Sequence, residues 1–120
     1  MPGTADHPIA IDATPQRVRV TFAGRIVADS RRALLLKEAS YPAVAYVPRE
    51  DVDATLLKRT EHKTTCPFKG EASYYSIQAD GRVAENAIWS YEQPFADVDM
   101  ITGFMAFYPN RVDGIEFLPA

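Results

Sequence analysis

Two strand-like runs joined by Asp80-Gly81 constrain the fold of this 120-residue chain more than any other feature. Residues 74–78 and residues 82–91 both contain aromatic and β-branched side chains. An Asp-Gly pair between two such runs is a strong short-range signal of a β-hairpin. The middle of the chain is therefore expected to form two antiparallel strands.

The register of this hairpin depends on the length of its loop. A three-residue loop pairs Ile77 with Val83 and places Tyr75 opposite Glu85, whereas a two-residue loop brings Tyr74 to that face. We favour the three-residue loop because it pairs one apolar side chain with another.

The rest of the chain resembles a series of short strands separated by turn residues. Val20 alternates with polar neighbours, and a three-residue loop after its strand places Phe22 opposite Ile26 and Val20 opposite Ala28. Further strands are expected at residues 33–36, 43–47, 54–59, 61–65, 103–108 and 115–118. One strand with a bulge over residues 54–65 is the alternative to two pieces.

Helix is a minor component of the predicted fold. Residues 96–101 are the best helix candidate, and residues 49–53 are expected to form a turn or one helical turn. The pattern predicts a mainly β domain of two antiparallel sheets, as a sandwich or a distorted barrel, with at most one or two short helices.

Length and composition indicate a single globular domain. A chain of 120 residues with 47% hydrophobic and 24% charged residues is large enough to bury one core. We expect an N-terminal arm over residues 1–16, where Pro2, Pro8 and Pro15 interrupt regular structure. Residues 17–120 then form the domain.

The charge and the hydropathy pattern exclude several classes of partner. A net charge of -3 gives no general attraction to nucleic acid. The sequence has no run of about 18 apolar residues, which a membrane span needs. The N-terminus also lacks the basic and apolar regions of a secretory signal. A cytoplasmic protein that binds neither nucleic acid nor membranes is expected.

Two pieces of the chain recur in the same order. Residues 24–29 (GRIVAD) are similar to residues 81–85 (GRVAE), and residues 45–48 (AYVP) are similar to residues 106–109 (AFYP). A duplicated hairpin unit explains both matches, while frequent use of Gly and Pro at turns is the alternative. Duplication predicts two sheets of similar build, with residues 65–70 as the crossover between them.

The strand at residues 82–91 provides the most specific candidate site. If it has no bulge, Glu85, Trp89 and Tyr91 share one face with a tyrosine of the neighbouring strand, which we expect to be Tyr75. One interpretation is a packed aromatic core with Glu85 near its edge. The other is an aromatic-walled pocket with an anionic anchor, which suits a small polar or planar ligand.

The predicted ligand-binding set extends beyond this face. Lys69 beside Gly70 is included as an anion anchor, and Arg49 and Tyr108 stand beside the prolines of the two recurring segments. The full set is Arg49, Lys69, Tyr75, Glu85, Trp89, Tyr91 and Tyr108.

Cys66, the only cysteine of the chain, has two interpretations. It is either a small buried hydrophobe or a nucleophile activated by a nearby cation or histidine. Lys69 lies three residues after it and His62 four residues before it, so suitable residue types are present. Cys66 and Lys69 are therefore the catalytic candidates.

Metal and cofactor binding have little support in the sequence. Structural zinc sites draw on several cysteines or histidines, and this chain has one cysteine and two histidines. The acidic clusters at residues 50–53 and 97–99 lack the spacing of a calcium loop. We expect neither a metal nor a cofactor.

Several motifs together resemble a known bacterial family. They are Ala28-Asp29-Ser30 with Ala33-Leu34, Tyr46-x-Pro48 with Asp51-Val52, Thr65-Cys66-Pro67-Phe68-Lys69-Gly70-x-Ala72-x-Tyr74-Tyr75, Ala87-x-Trp89-x-Tyr91, and Ala106-Phe107-Tyr108-Pro109. The combination covers residues 17–117 and resembles domain-of-unknown-function family 427, which is also labelled nucleotidyltransferase-like. Its Cys-Pro-aromatic-Lys-Gly core is the most distinctive part.

This resemblance implies a β-tent fold, in which two antiparallel sheets meet at an angle. Relatives by fold include the methionine-R-sulfoxide reductases and the cereblon-type ligand domain, and many of these relatives bind zinc through paired cysteines. Because Cys66 stands alone, the resemblance implies neither zinc nor reductase activity here. The label implies nucleotide handling, although the Gly-Ser and paired aspartates that hold metal in such enzymes are missing from the sequence.

Three functions remain open from the sequence. The favoured one is binding of a small ligand in an aromatic-lined pocket between two sheets. The second is an enzyme, either dependent on Cys66 or handling nucleotides. The third is an interaction domain whose sheet edges form a homodimer.

Overall fold

The computed structural model describes residues 3–4 and 7–119, which are mainly β. The strands of these residues are Gly3–Thr4 (β1), His7–Ala13 (β2), Arg17–Phe22 (β3), Arg25–Ser30 (β4), Leu34–Glu38 (β5), Val44–Tyr46 (β6), Leu57–Cys66 (β7), Gly70–Ala79 (β8), Arg82–Ser90 (β9), Met105–Phe107 (β10) and Gly114–Leu118 (β11). The prediction of a mainly β fold is confirmed.

Helical structure in the described residues is limited to three short 3-10 helices. They span Arg49–Asp51, Ala54–Leu56 and Ala96–Ile101. The first and third were expected as a helical turn and a short helix, and the second shortens the strand predicted from residue 54. None of these helices is long and apolar enough to cross a membrane.

The strands are arranged in three antiparallel sheets, where two were expected. The first sheet has the order β1-β2-β5-β6, the central sheet β10-β9-β8-β7, and the third sheet β11-β3-β4. The central sheet packs against the other two, since each of two hydrophobic clusters joins it to one of them. Strand β8 is consequently buried along nearly its whole length.

One hydrophobic cluster joins the third sheet to the central sheet. Val18 and Val20 of β3 pack with Ile77 of β8 and Ile88 of β9, and each is at most 1% exposed. Burying a side chain of this size contributes roughly 1.5–3 kcal/mol. The second cluster joins the first and central sheets, and it contains the aromatic residues described below.

Strand β2 lies within the segment expected to be an N-terminal arm. It pairs along its length with β5, from Ile9 opposite Glu38 to Ala13 opposite Leu34. Ile9 is fully buried in the second cluster. This part of the segment is therefore docked as a strand of the first sheet.

The β3–β4 hairpin has a two-residue loop, Ala23-Gly24, with φ angles of 51° and 74°. The predicted pairing of Val20 with Ala28 is confirmed, but Phe22 lies opposite Arg25 rather than its predicted partner. The expected three-residue loop is therefore wrong. A bulge in β4 absorbs the extra residue beyond the tight turn.

The β8–β9 hairpin also has a two-residue loop, Asp80-Gly81, with φ angles of 49° and 80°. The favoured three-residue loop is wrong and the two-residue alternative is correct: Ile77 lies opposite Ala84, and Tyr74 lies opposite Trp89. A turn with two positive φ angles matches the twist of the flanking strands. This local geometry outweighs the apolar pair that a longer loop would form.

Strand β9 has a bulge between Ala84 and Ile88. Over this interval β9 advances four residues while β8 advances two. Asn86 stands at the bulge with a φ of 50°, a conformation that Asn tolerates better than most residues. The predicted pairing of Tyr75 with Glu85 is wrong, because Tyr75 lies opposite Ile88.

The segment at residues 65–70 is the turn between β7 and β8. The expectation that it crosses between two similar units is wrong, because β7 and β8 are neighbours in the central sheet. Gly70 has a φ of 113°, and its backbone lies close to that of Pro94. Only glycine adopts such a φ without strain, which explains its place at this turn.

The recurring segments have similar structures. Both Gly24 and Gly81 are the second residue of a two-residue loop with positive φ angles. The segment at residues 45–48 lies beside the residue that precedes residues 106–109, because Val47 after β6 forms an antiparallel bridge with Met105 of β10. This bridge connects the first sheet to the central sheet.

Candidate functional site

Five aromatic side chains form a cluster between the first and central sheets. The aromatic cluster consists of Tyr46, Tyr74, Trp89, Tyr91 and Tyr108. The ring centroids of Trp89 and Tyr108 are 4.5 Å apart, and Tyr46 lies 6.2 Å from Trp89 and 6.5 Å from Tyr91. The structure thus brings together three predicted ligand-binding residues, Trp89, Tyr91 and Tyr108.

Hydrogen bonds fix the orientation of these rings. The indole Nε1 of Trp89 donates to the hydroxyl oxygen of Tyr46 over 3.1 Å. The hydroxyl groups of Tyr74 and Tyr108 lie 3.2 Å apart, and Thr64 Oγ1 lies 2.9 Å from the hydroxyl of Tyr74. The aromatic cluster is therefore a connected network whose rings are held in place.

Burial keeps the phenols of Tyr46, Tyr91 and Tyr108 protonated. It raises the pKa of Tyr46 and of Tyr91 well above the ordinary value for tyrosine. Burial, together with the hydrogen bond to Tyr74, raises the pKa of Tyr108 to about 12. At neutral pH these groups are uncharged, so the cluster provides aromatic surface and hydroxyl groups rather than a phenolate base.

The interior of the aromatic cluster is filled. Tyr46 is 1%, Tyr74 is 5% and Tyr91 is 6% exposed, whereas Trp89 and Tyr108 are half-buried. The packed-core interpretation therefore describes the deep part of the cluster. Beside the cluster, open space lies beyond the outward side of Trp89.

Lys69 lies beneath this cluster rather than at the surface. Its ammonium group forms an ion pair with Glu38 of β5 and lies 5.8 Å from the ring centroid of Tyr91. The Lys69 side chain is only 7% exposed. The expectation of an exposed anion anchor is wrong, because the buried ammonium already has a carboxylate as its counter-ion.

Cys66 is half-buried at the end of β7 and packs against the aromatic cluster. His62, one of its two expected activators, is exposed and packs edge-on against Tyr74 with ring centroids 4.5 Å apart. Lys69, the other, is paired with Glu38. Within the described residues, neither forms a hydrogen bond or an ion pair with the Cys66 thiol.

An apolar groove lies at the junction of the three sheets, with a volume of about 280 Å³. Val18 and Val20 of β3 form its floor, Trp89 and Phe107 of the central sheet line one wall, and Phe117 of β11 stands at its edge. The two valines are buried while Phe117 is 42% exposed, so the groove reaches from the core to solvent.

A second cluster is formed by charged residues around Tyr75. Arg49 and Arg59 lie over the Tyr75 ring, with guanidinium carbons 5.5 Å and 5.7 Å from its centroid. The Tyr75 hydroxyl accepts a hydrogen bond from each arginine at 3.2 Å and donates to Glu92 at 3.1 Å. Arg49, Arg59, Tyr75 and Glu92 are called the arginine cluster below.

Both guanidinium groups of the arginine cluster bind the same carboxylate. Arg59 contacts the two oxygens of Glu92 at 2.7 Å and 2.9 Å, and Arg49 contacts one of them at 3.2 Å. The hydrogen bonds from Arg59 are the main reason that the pKa of Glu92 is lowered to about 2. Arg59 also donates to Ser73 Oγ at 3.1 Å.

The predicted site residues are therefore divided between three places. Trp89, Tyr91 and Tyr108 lie in the aromatic cluster with Lys69 beneath them. Tyr75 lies in the arginine cluster with Arg49, because neighbouring residues of β8 face opposite sides of the sheet. Glu85 is exposed and borders an open polar surface with His62 and Asn86, apart from both clusters.

Residues 10–117 match the model of the family described as domain of unknown function 427 (DUF427), with the label NTP_transf_9. The chain belongs to the DUF427 family. The match begins within β2 and ends within β11, so it includes all three sheets. No curated protein matches this DUF427 domain at a significant level.

The Cys-Pro-Phe-Lys-Gly segment of the DUF427 domain lies against the aromatic cluster. It contributes the half-buried Cys66 and the buried Lys69 from the β7–β8 turn. In the described part of the chain, no three His, Cys, Asp or Glu side chains are grouped closely enough to hold a metal ion.

Sequence reasoning missed several residues that complete these clusters. Tyr46 had a usable signal, since it occupies the second position of the first Ala-aromatic-x-Pro segment. Arg59 and Glu92 had none, because their convergence depends on the bulge in β7 between residues 59 and 63 and on the turn after β9. Tyr75 was expected to line a pocket, but its hydroxyl group is hydrogen-bonded to Arg59 and Glu92 and so lies at the centre of an ion network.

Proposed function

We propose that this DUF427 domain binds a small planar, largely apolar molecule in the groove beside Trp89. The observation that carries the proposal is an open volume of about 280 Å³ next to the only tryptophan, at the junction of three sheets. Small-molecule sites are typically concave and apolar, with volumes from about 300 Å³ upward. The ligand is therefore smaller than a typical drug.

The composition of the groove favours an apolar aromatic ligand over a polar one. Its lining consists of Val, Ala, Ile, Phe, Pro and Trp side chains. The one polar side-chain group among them, Trp89 Nε1, already donates to Tyr46. Aromatic rings stack favourably on Trp and Phe, which supports a planar molecule.

The aromatic cluster supports this function from behind the groove. Trp89 contacts Tyr108 on one side and is hydrogen-bonded to Tyr46 on the other, so its ring is held before a ligand arrives. A preformed wall reduces the entropy that binding must overcome. Tyr91 packs against Tyr46, so it helps to hold the hydroxyl group that binds Trp89.

An enzyme that depends on Cys66 and an interaction domain are the competing hypotheses. The structure of the Cys66 surroundings gives the first no added support, because His62 is exposed and Lys69 is paired with Glu38. A cytoplasmic location is part of our proposal, and it is compatible with a sequence whose single cysteine allows no internal disulfide.

The proposal is tested by titrating the protein with quinoline, an uncharged planar probe, while following Trp89 fluorescence. We expect saturable quenching and a raised melting temperature, and neither effect with non-planar cyclohexanol. Ala43→Phe places a ring in the groove from an exposed position, so it should abolish the response. Ala10→Phe, an exposed change on β2 away from the groove lining, is the matched control.

Two results would contradict the proposal. One is quenching that rises linearly with quinoline without saturation, since that indicates collisions in solution. The other is an equal response from the Ala43→Phe variant, since that places the probe outside the groove.

A further inference from the structure

The arginine cluster has more positive charge than its own carboxylate neutralises. Arg49 and Arg59 share Glu92, so two guanidinium groups face one anion. Lys63 nearby is paired with Glu71 at 3.5 Å, and Glu50 and Asp51 beside Arg49 share Arg32. The attraction for an anion therefore comes from direct contact with a guanidinium group rather than from the net charge of the region.

Arg49 is the arginine of this cluster that has unused hydrogen-bond donors. Arg59 uses both terminal nitrogens, on Glu92, Tyr75 and Ser73. Arg49 uses only Nη2, on Tyr75 and Glu92, and within the described residues its Nε and Nη1 have no hydrogen-bond partner. The N–H groups of Nε and Nη1 point in different directions, so each can donate a separate charge-assisted hydrogen bond to an incoming carboxylate.

An apolar cavity of about 150 Å³ adjoins Arg49. Leu57, Val52 and Met105 line it together with Tyr75 and the two arginines. A cavity of this volume is large enough for one benzene ring. The site therefore combines a cation with unused donors at its edge and room for a ring-sized apolar body.

We propose that this cavity binds a small carboxylate that carries a compact apolar body, with the carboxylate on Arg49 and the body against Leu57 and Met105. Glu92 stays on Arg59, which holds both of its oxygens. Arg49 reaches the incoming carboxylate through its unused nitrogens. This second site is separate from the Trp89 groove and does not depend on the function proposed for it.

The apolar lining distinguishes this ligand from an inorganic anion. Phosphate or sulfate would gain the charge interaction but leave the cavity unfilled. An uncharged ring would fill the cavity but leave the unused donors of Arg49 to solvent. Only a molecule with both parts uses all of the site, with an affinity on the order of millimolar expected from one ion pair and one small ring.

The test uses benzoate as the probe and calorimetry or NMR titration as the readout. We expect benzoate to bind, the affinity to fall with added NaCl, and benzyl alcohol and inorganic phosphate each to bind at least about tenfold more weakly. Arg49→Gln should weaken benzoate binding about tenfold or more. Arg25→Gln removes an exposed arginine that forms an ion pair with Asp80 at 3.8 Å, and it should change binding less than about twofold.

Two further variants separate this site from the Trp89 groove. Ala54→Phe, at an exposed position of the cavity edge, should abolish benzoate binding, and Ala43→Phe in the groove should leave it unchanged. The proposal is overturned if benzoate does not bind, if it binds Arg49→Gln as well as the parent chain, or if phosphate competes equally. Loss of binding in Ala43→Phe would also overturn it, by assigning the probe to the groove.

Discussion

Trp89 Nε1 donates a hydrogen bond to the hydroxyl oxygen of Tyr46 over 3.1 Å, across the boundary between the central and first sheets. Tyr46 is almost fully buried, so this bond is shielded from competing water. The same indole lines the apolar groove. This hydrogen bond therefore links the two sheets and fixes the position of the Trp89 ring, which is a wall of the groove.

Replacing Tyr46 by Phe should destabilise the protein by about 1–2 kcal/mol. The change leaves the half-buried Trp89 N–H without its acceptor while keeping the ring in place. Urea unfolding measures the loss, and Trp89 fluorescence should shift because the indole environment changes. Tyr41→Phe is the control, since Tyr41 is 62% exposed. Equal stability of the two variants would show that the bond contributes little.

Replacing Lys69 by Met should cost about 2–4 kcal/mol. The carboxylate of Glu38, 18% exposed, would lose its ion pair with Lys69 in a mostly buried position. Adding Glu38→Gln removes the negative charge of that carboxylate as well, so the double variant should be more stable than Lys69→Met alone. Lys58→Met on the exposed side of β7 is the control. A double variant that is less stable than Lys69→Met would argue against this account.

The stabilisation from Glu92 should disappear in acid. Its pKa is lowered from 4.5 to about 2 by hydrogen bonding to Arg59, so its contribution is complete above pH 4.5 and is lost as the pH falls toward 2. Because the side chain is 31% exposed, solvent screening limits the contribution to about 1 kcal/mol. The stability gap between the parent chain and Glu92→Gln should therefore narrow from about pH 6 to about pH 2.5.

The matched control for this pH experiment is Glu61→Gln, at an exposed position of β7. The difference in stability between Glu61→Gln and the parent chain should stay small at both pH values. A gap for Glu92→Gln that is constant with pH would mean that the ion network does not perturb Glu92.

Cys66 should react with a disulfide reagent more slowly than a small free thiol does. It is half-buried, and neither His62 nor Lys69 forms a hydrogen bond or an ion pair with it in the described structure. The rate measured against glutathione under the same conditions tests this, with Cys66→Ser as the blank. A faster reaction than glutathione would revive the enzyme hypothesis.

Much of the fold could be predicted from the sequence, because alternating side chains and Gly-containing turns determine strands locally. The hairpins at Ala23-Gly24 and Asp80-Gly81 were both expected from these signals. Their registers were not, since a bulge depends on packing between sheets that a local pattern does not contain. The third sheet was missed for a similar reason: the partner of β11 is β3, at the other end of the chain.

The candidate site was only partly predictable. Trp89, Tyr91 and Tyr108 meet because Trp89 lies in β9 and the two tyrosines directly follow the adjacent strands β9 and β10. Tyr75 and Glu85 were assigned to the same face through a register that the tight turn forbids. The binding volume itself could not be predicted, because it depends on Val18 and Phe117 from distant strands meeting Trp89.

The most direct test of the proposed binding function is an NMR titration of the methyl-labelled and nitrogen-labelled protein with quinoline. The chain has one tryptophan, so a single indole N–H signal reports on the Trp89 wall. We predict saturable shifts of this signal and of the methyl groups of Val18, Val20 and Val44, which line the groove. Unchanged signals for these residues at high quinoline concentration, or shifts confined to other parts of the chain, would contradict the account.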